Sequence, residues 1–509
     1  MLVKVFLSLI ALAAYLWFRI KKQFSFFERL NVPYDKKESF FGSMTEVLFK
    51  RLNMYDMVEV MYNKYDSSVA GFFELFSPFF LIRSPELINQ ILVGGFPHFM
   101  NHRDVFTGDH SGLMSTSLHS MNDQKWKDMR ATLTPAFTGA KLRGMFDLIR
   151  ETAEEGVLNL KEEIKQEKDV DVKDFFTRYA CDVIATTGFG FKLNSMKEKQ
   201  NPFFQMGKDV TNFGKFALFK FIAFLHLPRL TNLLKVSLLP RKHTIYYKTL
   251  VLGTMKQRCE RKIFRPDMIN MLMEARGIDI LGSNDLKCSN KWTDDEIVAQ
   301  ALFFFFSGFE SVASVLCFIS QELMENPEVQ EKVKKEIRSV LKELNGDQLT
   351  YEVLKGMKYL DCVISEALRK WPINASTDRV CTKPIEIQDP ETGEFIKIEA
   401  GDKIMIPIVG LHRDPKYYPD PMKFDPERFN DENKHNINPN TYLPFGIGPR
   451  MCIAHRFAFM EIKTMLFYMF SDFKVELSDK SSIPLKLDPA ITQPHPKNGF
   501  WVRLLNEEK

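Results

Sequence analysis

One cysteine in the sequence sits in a setting suited to reactivity. Residues 444–458 read Pro-Phe-Gly-Ile-Gly-Pro-Arg-Met-Cys-Ile-Ala-His-Arg-Phe-Ala. Gly446, Gly448 and Pro449 punctuate a loop, and the apolar, helix-forming run that follows is expected to begin at or beside Cys452. The sulfur would then face the positive end of a helix, with Arg450 two residues earlier, and both favour thiolate over thiol. A thiolate is the form that binds a metal, and a single cysteine ligand suits haem iron, where it pushes electron density towards O–O cleavage. Taken alone, such a loop fits an inert buried cysteine equally well.

Three further constellations carry chemistry. Trp126 and Arg130 lie four residues apart, hence on one helix face, and offer an indole N–H and a guanidinium to the same object. A buried propionate would suit both, as would an ordinary surface cation–π pair. Ser307-Gly308-Phe309-Glu310-Ser311 falls in the middle of a long helical pattern. Glycine there costs about 1 kcal/mol against alanine, so the stretch reads either as a local opening with a purpose or as a buried polar pair satisfied by carbonyls. Glu366 and Arg369 can pair across one helical turn, which by itself describes any solvated salt bridge.

Together these residues resemble the cytochrome P450 family. Phe445, Gly448, Arg450 and Cys452 match its haem-ligating signature F-x-x-G-x-R-x-C-x-G, with Ala454 where glycine is usual. Trp126 and Arg130 resemble the W-x-x-x-R element that holds a haem propionate. Residues 307–311 resemble A-G-x-[DE]-T, the oxygen-activation motif, with Ser307 for alanine and Ser311 for threonine. Serine keeps the hydroxyl of that motif and loses the β-methyl that restricts its rotamer. Glu366 and Arg369 resemble E-x-x-R, and Pro426-Glu427-Arg428-Phe429 resembles P-E-R-F, whose arginine closes a buried charge network that fixes the cysteine loop. In many relatives an arginine near the position of Ser376 touches the second propionate; Arg379 is a candidate for that task.

The resemblance implies a mainly α chain with a minor β region, the cytochrome P450 fold, as a single large haem-binding domain behind an N-terminal transmembrane anchor. It implies haem b between the long helix and the cysteine loop, with Cys452 as axial iron ligand and Trp126, Arg130, Phe445 and Arg450 around the cofactor. Glu310 and Ser311 would deliver protons, and Glu366, Arg369 and Arg428 would form the structural network. The implied reaction inserts one oxygen atom of dioxygen into an apolar small molecule. Electrons would come from NADPH through a separate NADPH–cytochrome P450 reductase, with cytochrome b5 as a further partner. The pattern most resembles microsomal insect members that act on xenobiotics, which places the chain on the endoplasmic reticulum membrane with its catalytic domain in the cytosol. Two other readings stay open: a haem-thiolate isomerase or dehydratase acting on peroxides without a reductase, and a non-catalytic haem protein that carries or senses a ligand.

The elements that must position these residues can be read from pattern. Leu2 to Ile20 is apolar enough to span a bilayer, and Lys21 and Lys22 after it belong on the cytosolic side. This gives an anchor over 1–22, a hinge over 23–37 and a catalytic domain over 38–509. Ala70 to Arg83 has the runs of a small sheet. Asn201 to Pro240 interleaves phenylalanine with lysine, fitting either a membrane-resting surface or two core-facing helices. Thr293 and Glu296 form a capping box for a helix running to Asn326; Pro327–Leu344 is a plain amphipathic helix capped by Asn326, and the next helix ends near Trp371-Pro372. Short strands follow around Arg379–Cys381, Ile385–Ile387, Phe395–Ile398 and Lys403–Pro407. Cys452–Phe470 should back the cofactor, and by resemblance Pro489–Phe500 should return a hairpin towards the pocket. Phe24–Lys37 and Arg276–Lys291 read as loose stretches.

Composition narrows the partners. With 69 Lys and Arg against 65 Asp and Glu, nothing points to nucleic acid or another polyanion. An uneven set of 7 cysteines argues against a disulfide framework and for a reducing compartment. The 46 phenylalanines suggest an aromatic-lined interior. No glycine-rich dinucleotide fingerprint follows a strand, so NADPH should not bind this chain directly. Lys125, Lys127, Lys141 and Arg143 form a basic patch beside the Trp126 helix and are a candidate reductase dock.

Overall fold

The computed structural model describes residues 25–35, 42–75, 77–106, 112–165, 168–211, 217–237, 239–278, 292–489 and 494–507. The expected anchor and the greater part of the Arg276–Lys291 stretch lie outside the described residues. The helices that matter for the site are α1 (Asp123–Leu133), α2 (Gly139–Glu163), α3 (Val172–Ile184), α4 (Pro202–Thr211), α5 (Ala217–His226), α6 (Pro228–Leu233), α7 (Arg241–Arg261), α8 (Asp294–Glu325), α9 (Pro327–Leu344), α10 (Lys358–Lys370) and α11 (His455–Asp472).

Helix α8 organises the rest. Its start is set by a closed capping box: Thr293 Oγ1 accepts the Glu296 N–H at 3.2 Å, and Glu296 Oε2 accepts the Thr293 N–H at 2.8 Å. Over 32 residues, at about 1.5 Å each, it crosses the whole molecule. Its length and apolarity would suffice to cross a membrane, but most of it is buried in the core. The C-terminal half packs with α2, α3, α9, α10 and α11, and the N-terminal half with α1, α4 and α7.

Gly308 does not open this helix. The helix runs unbroken through it, and a Cβ at Gly308 would stand 2.8 Å from Ile184 Cδ1 on α3. Close approach of two helices, not a local kink, explains the glycine. At the far end Asn326 closes α8 and opens α9, but its side chain does not cap α9; Nδ2 donates back to Glu322 O at 2.8 Å.

The strands form three separate sheets among the described residues. Strands β1 (Val69–Glu74) and β2 (Ser77–Ile82) form an antiparallel pair. They continue through β7 (Lys403–Ile406), parallel to β2, to β4 (Thr377–Val380), with Arg379 opposite Ile404. A second sheet joins β3 (Asp169–Asp171), β9 (Trp501–Asn506) and β8 (Phe473–Glu476); β5 (Ile385–Gln388) and β6 (Phe395–Ile398) pair alone.

Within the stretch read as a loose hinge, Phe27 and Val32 are buried while Glu28, Arg29, Asn31 and Pro33 are exposed, and a Cβ on Gly71 would stand 2.5 Å from the Phe27 ring. Helix α11 begins at His455, not at Cys452, because Cys452 to Ala454 still belong to the loop. Residues 490–493 of the expected hairpin lie outside the described residues; Leu487 and Pro496 bridge its ends.

Candidate active site

The cysteine loop is held from both sides. Gly446 and Gly448 adopt positive φ, 70° and 73°, and a Cβ on Gly448 would stand 2.1 Å from Leu92 O. The Cys452 N–H donates to Phe445 O at 2.8 Å, the Met451 N–H to Gly448 O at 3.0 Å, and His455 Nδ1 lies 3.0 Å from Cys452 O. Burial pushes the Cys452 thiol up, while the Ala454 N–H and the Arg130 guanidinium pull it back. The counter-charge is therefore Arg130, brought from α1, and not Arg450.

Arg450 is occupied elsewhere. Its guanidinium stacks 4.1 Å over the buried Trp126 ring. It donates through Nε to Met100 O at 2.9 Å, through Nη1 to Leu118 O and His119 O at 3.3 Å, and through Nη2 to Met121 O at 2.7 Å. Burial, the neighbouring Arg379 and Arg130 push it down to about 9. Arg130, Arg379 and Arg450 thus crowd like charges together beside the cysteine loop. The Arg130 side chain makes no hydrogen bond among the described residues, and the buried Arg379 leaves Nε without a partner. Open guanidinium donors beside a half-buried thiol fit a group that carries both a metal and carboxylates, as haem does.

His102 and His119 are part of this cluster and were missed by motif reading. Their rings stack with centroids 4.7 Å apart, and His119 stacks in turn on Phe303 of α8 at 5.8 Å. Burial first, and then its neighbour His102, push His119 down to about 3. His119 nonetheless stays solvent-accessible. No local pattern marks either histidine, because their partners lie far along the chain.

Across from the loop, Phe303, Ser307 and Ser311 recur every four residues and form one half-buried stripe on α8. Ser311 Oγ donates to Ser307 O at 2.5 Å. Glu310 is turned away from that stripe: it pairs with Lys173 of α3, and Lys173 Nζ also donates to Ser314 Oγ at 3.0 Å. The two residues of the oxygen-activation motif therefore occupy different faces of the helix.

Behind the loop lies a buried charge network. Arg369 Nε and Nη2 donate to Glu366 at 2.7 and 2.8 Å, both side chains being wholly inaccessible. Arg369 also donates to His412 O at 2.7 Å and Pro421 O at 2.6 Å, and Arg428 Nε stands 3.5 Å from Glu366 Oε1. His412 joins the network to the loop, a role that no sequence motif marks. The basic patch is largely neutralised: Lys125 pairs with Glu296, Lys141 with Glu274 at 3.8 Å, and Arg143 with Glu352. Among the described residues only Lys127 of the four lacks an ion pair, which weakens the patch as a docking site.

Comparison with known proteins agrees with this geometry. The profile of the family described as Cytochrome P450 matches residues 33–501. The chain is 45% identical over 511 residues to "Probable cytochrome P450 9f2" of Drosophila melanogaster, covering 98% of this chain and 99% of the relative. It is 39% identical to "Cytochrome P450 9e2" of Blattella germanica, covering 98% and 96%. A mammalian relative, "Lithocholate 6-beta-hydroxylase" of Mesocricetus auratus, is 34% identical, covering 95% and 93%.

Proposed function

Because this chain belongs to the cytochrome P450 family of haem-thiolate monooxygenases, we propose that it inserts one oxygen atom of dioxygen into an apolar small molecule, with Cys452 as axial ligand of haem b. The observation that carries the reading is the meeting of the half-buried Cys452 thiol with the Arg130 guanidinium, beside the buried Arg379 whose Nε has no hydrogen-bond partner among the described residues. When bound, haem supplies electron transfer and dioxygen activation, and a thiolate ligand favours O–O cleavage.

The residues around it have separate tasks. Trp126 and Arg130 hold a propionate, Phe445 packs the loop, and Arg450 ties that loop to residues 100–121. Phe303 gives the substrate an apolar wall, and Ser311 Oγ holds a proton on it. Glu310, paired with Lys173, is in this reading the residue that works with Ser311 in delivering protons. Glu366, Arg369 and Arg428 keep the support of the loop rigid.

Substrates in this reading are xenobiotics such as insecticides and plant toxins, or endogenous lipids and hormones. The mammalian relative, by its name a hydroxylase, carries out a reaction of the same type. Electrons come from NADPH through NADPH–cytochrome P450 reductase, with cytochrome b5 as an accessory donor. The chain works on the cytosolic face of the endoplasmic reticulum membrane, anchored through 1–22, with 38–509 as the catalytic domain. Leu227, Leu230, Leu233 and Leu234, exposed in and around α6, support membrane contact at this helix.

The test is the carbon monoxide difference spectrum of the reduced protein beside Cys452→Ser, followed by NADPH consumption with reductase. A thiolate-type Soret band lost in the variant, and substrate-dependent NADPH use, are the expected results. A histidine-type band would remove the thiolate assignment. Turnover of a lipid hydroperoxide with no NADPH use would favour the isomerase instead.

A further inference from the structure

One polar side chain beside the site has no task in the reading above. His119 is solvent-accessible, and two rings lie nearly parallel to its own. His102 stacks at 4.7 Å with an interplanar angle of 27°, and Phe303 of α8 at 5.8 Å with 17°. Stacking engages the faces of an imidazole and leaves its edge, where both nitrogens lie, free for hydrogen bonds. Neither nitrogen of His119 makes one among the described residues.

The ring is also held in position. Gln300 of α8 takes Thr116 O at 2.8 Å and the Leu118 N–H at 2.7 Å, while Arg450 donates to His119 O at 3.3 Å and to Met121 O at 2.7 Å. Its charge state is set by its surroundings. Burial, then His102, with Arg450 and Arg379 behind them, keep the ring neutral at pH 7 against the pull of Asp378. A neutral imidazole carries one N–H donor and one acceptor nitrogen.

Phe303 ties this ring to the substrate's side, since it shares the half-buried α8 stripe with Ser307 and Ser311. A ligand lying along that stripe displaces water from the imidazole edge. If it carries an oxygen acceptor, the N–H regains a partner; if it does not, the donor is left unmet and the ligand binds more weakly. A neutral donor suits a neutral acceptor, and the parallel rings of Phe303 and His119 suit a flat frame.

We propose that His119 is a specificity-determining residue whose N–H donates to a carbonyl oxygen on a flat, otherwise apolar substrate. This assignment rests on the monooxygenase reading and deepens it by naming a substrate class. It involves no covalent step.

The test uses fluorenone and fluorene, flat molecules of one shape in which a carbonyl stands against a methylene. Their dissociation constants from the ferric full-length protein are measured by equilibrium dialysis and by the Soret shift, for wild type, His119→Phe and His119→Gln. The quantity read is the preference for fluorenone, and comparing it between proteins cancels the different hydration of the two ligands. The preference should be roughly 3- to 10-fold larger in wild type than in His119→Phe, which keeps the stacked ring and loses the donor. His119→Gln, which keeps an N–H, should retain part of it. Equal preferences in wild type and His119→Phe would overturn the proposal. A preference lost as fully in His119→Gln as in His119→Phe would make the ring a packing element and overturn it too. Should His119→Phe fail to fold, His119→Leu decides on the same terms. Absence of a thiolate-type band in wild type would fail the haem-thiolate reading alone, because dialysis still reads the preference at His119.

Discussion

His412 Nε2 accepts the backbone N–H of Leu443 at 2.8 Å. The opposite nitrogen, Nδ1, faces Arg369 O at 3.0 Å, so one neutral tautomer, protonated on Nδ1, satisfies both contacts. A single ring therefore couples the Glu366–Arg369 pair to the first turn of the cysteine loop. Burial first, and then Arg369, push His412 down to about 3 from 6.5.

That tautomer makes the loop acid-sensitive. The unfolded chain protonates this ring more easily than the fold does, so its contribution is complete above pH 6.5 and drains away as pH falls towards 3. Conversion of the thiolate-type Soret band to an inactive form should accelerate over that window. His412→Phe should start in the destabilised condition and show a flatter profile. An unchanged acid profile in the variant would mean that other groups set it.

Breaking the Glu366–Arg369 pair leaves a charge stranded in the core. Glu366→Leu or Arg369→Leu should cost about 3–5 kcal/mol and abolish haem retention. Arg428→Ala should cost less, about 1 kcal/mol, because its Nε only approaches Glu366 at 3.5 Å and Nη2 donates to Asp420 O at the rim. Thermal denaturation of the three variants checks the order; a larger loss for Arg428→Ala would contradict it.

Removing the Ser311 hydroxyl should separate electron use from product formation. Ser311→Ala is expected to lower product formed per NADPH by about tenfold while NADPH oxidation continues. Ser311→Thr should hold or raise the ratio, since its added methyl restricts the rotamer that meets Ser307 O. Ratios equal in all three proteins would remove this hydroxyl from proton delivery.

Glu461 on α11 is buried, and neither carboxylate oxygen has a hydrogen-bond partner among the described residues. Burial holds its carboxyl well above 4.5, so the penalty is absent below pH 4.5 and grows as pH rises and the unfolded chain ionises. Glu461→Met should therefore stabilise the protein by about 1–3 kcal/mol at pH 7, with the gain shrinking on acidification. Denaturant unfolding at the two pH values measures this, and a loss of stability at pH 7 would show a hidden partner for the acid.

Introducing a methyl at Gly308 probes the α3–α8 contact. Gly308→Ala places a Cβ 2.8 Å from Ile184 Cδ1 and should cost about 1–3 kcal/mol, partly relieved by Ile184→Val. Thermal melts of the single and double variants report the coupling; additive losses would place the strain elsewhere.

What could be read along the chain was what depends on neighbours along the chain. The capping box at Thr293 and Glu296, the strands after Pro372 and the glycine-punctuated loop before Cys452 are all local, and they formed where spacing placed them. Arg379, His102 and His119 were not legible in that way. Arg379 meets His102 from 277 residues away, and no periodicity records a contact between a strand and a distant loop. The direction of Glu310 was hidden for the same reason: only α3 supplies Lys173. Gly308 misled because a helix glycine looks alike whether it serves a kink or a neighbour's methyl.

Gln300 on α8 donates to Thr116 O at 2.8 Å and accepts the Leu118 N–H at 2.7 Å, while Arg450 grips the carbonyls of Leu118, His119 and Met121 from the cysteine loop. The segment bearing His119 is thus bolted at two points to the parts of the molecule that must stay still. It behaves as a doorframe and cannot be the door. Any widening of the site then has to come from elements other than residues 116–121.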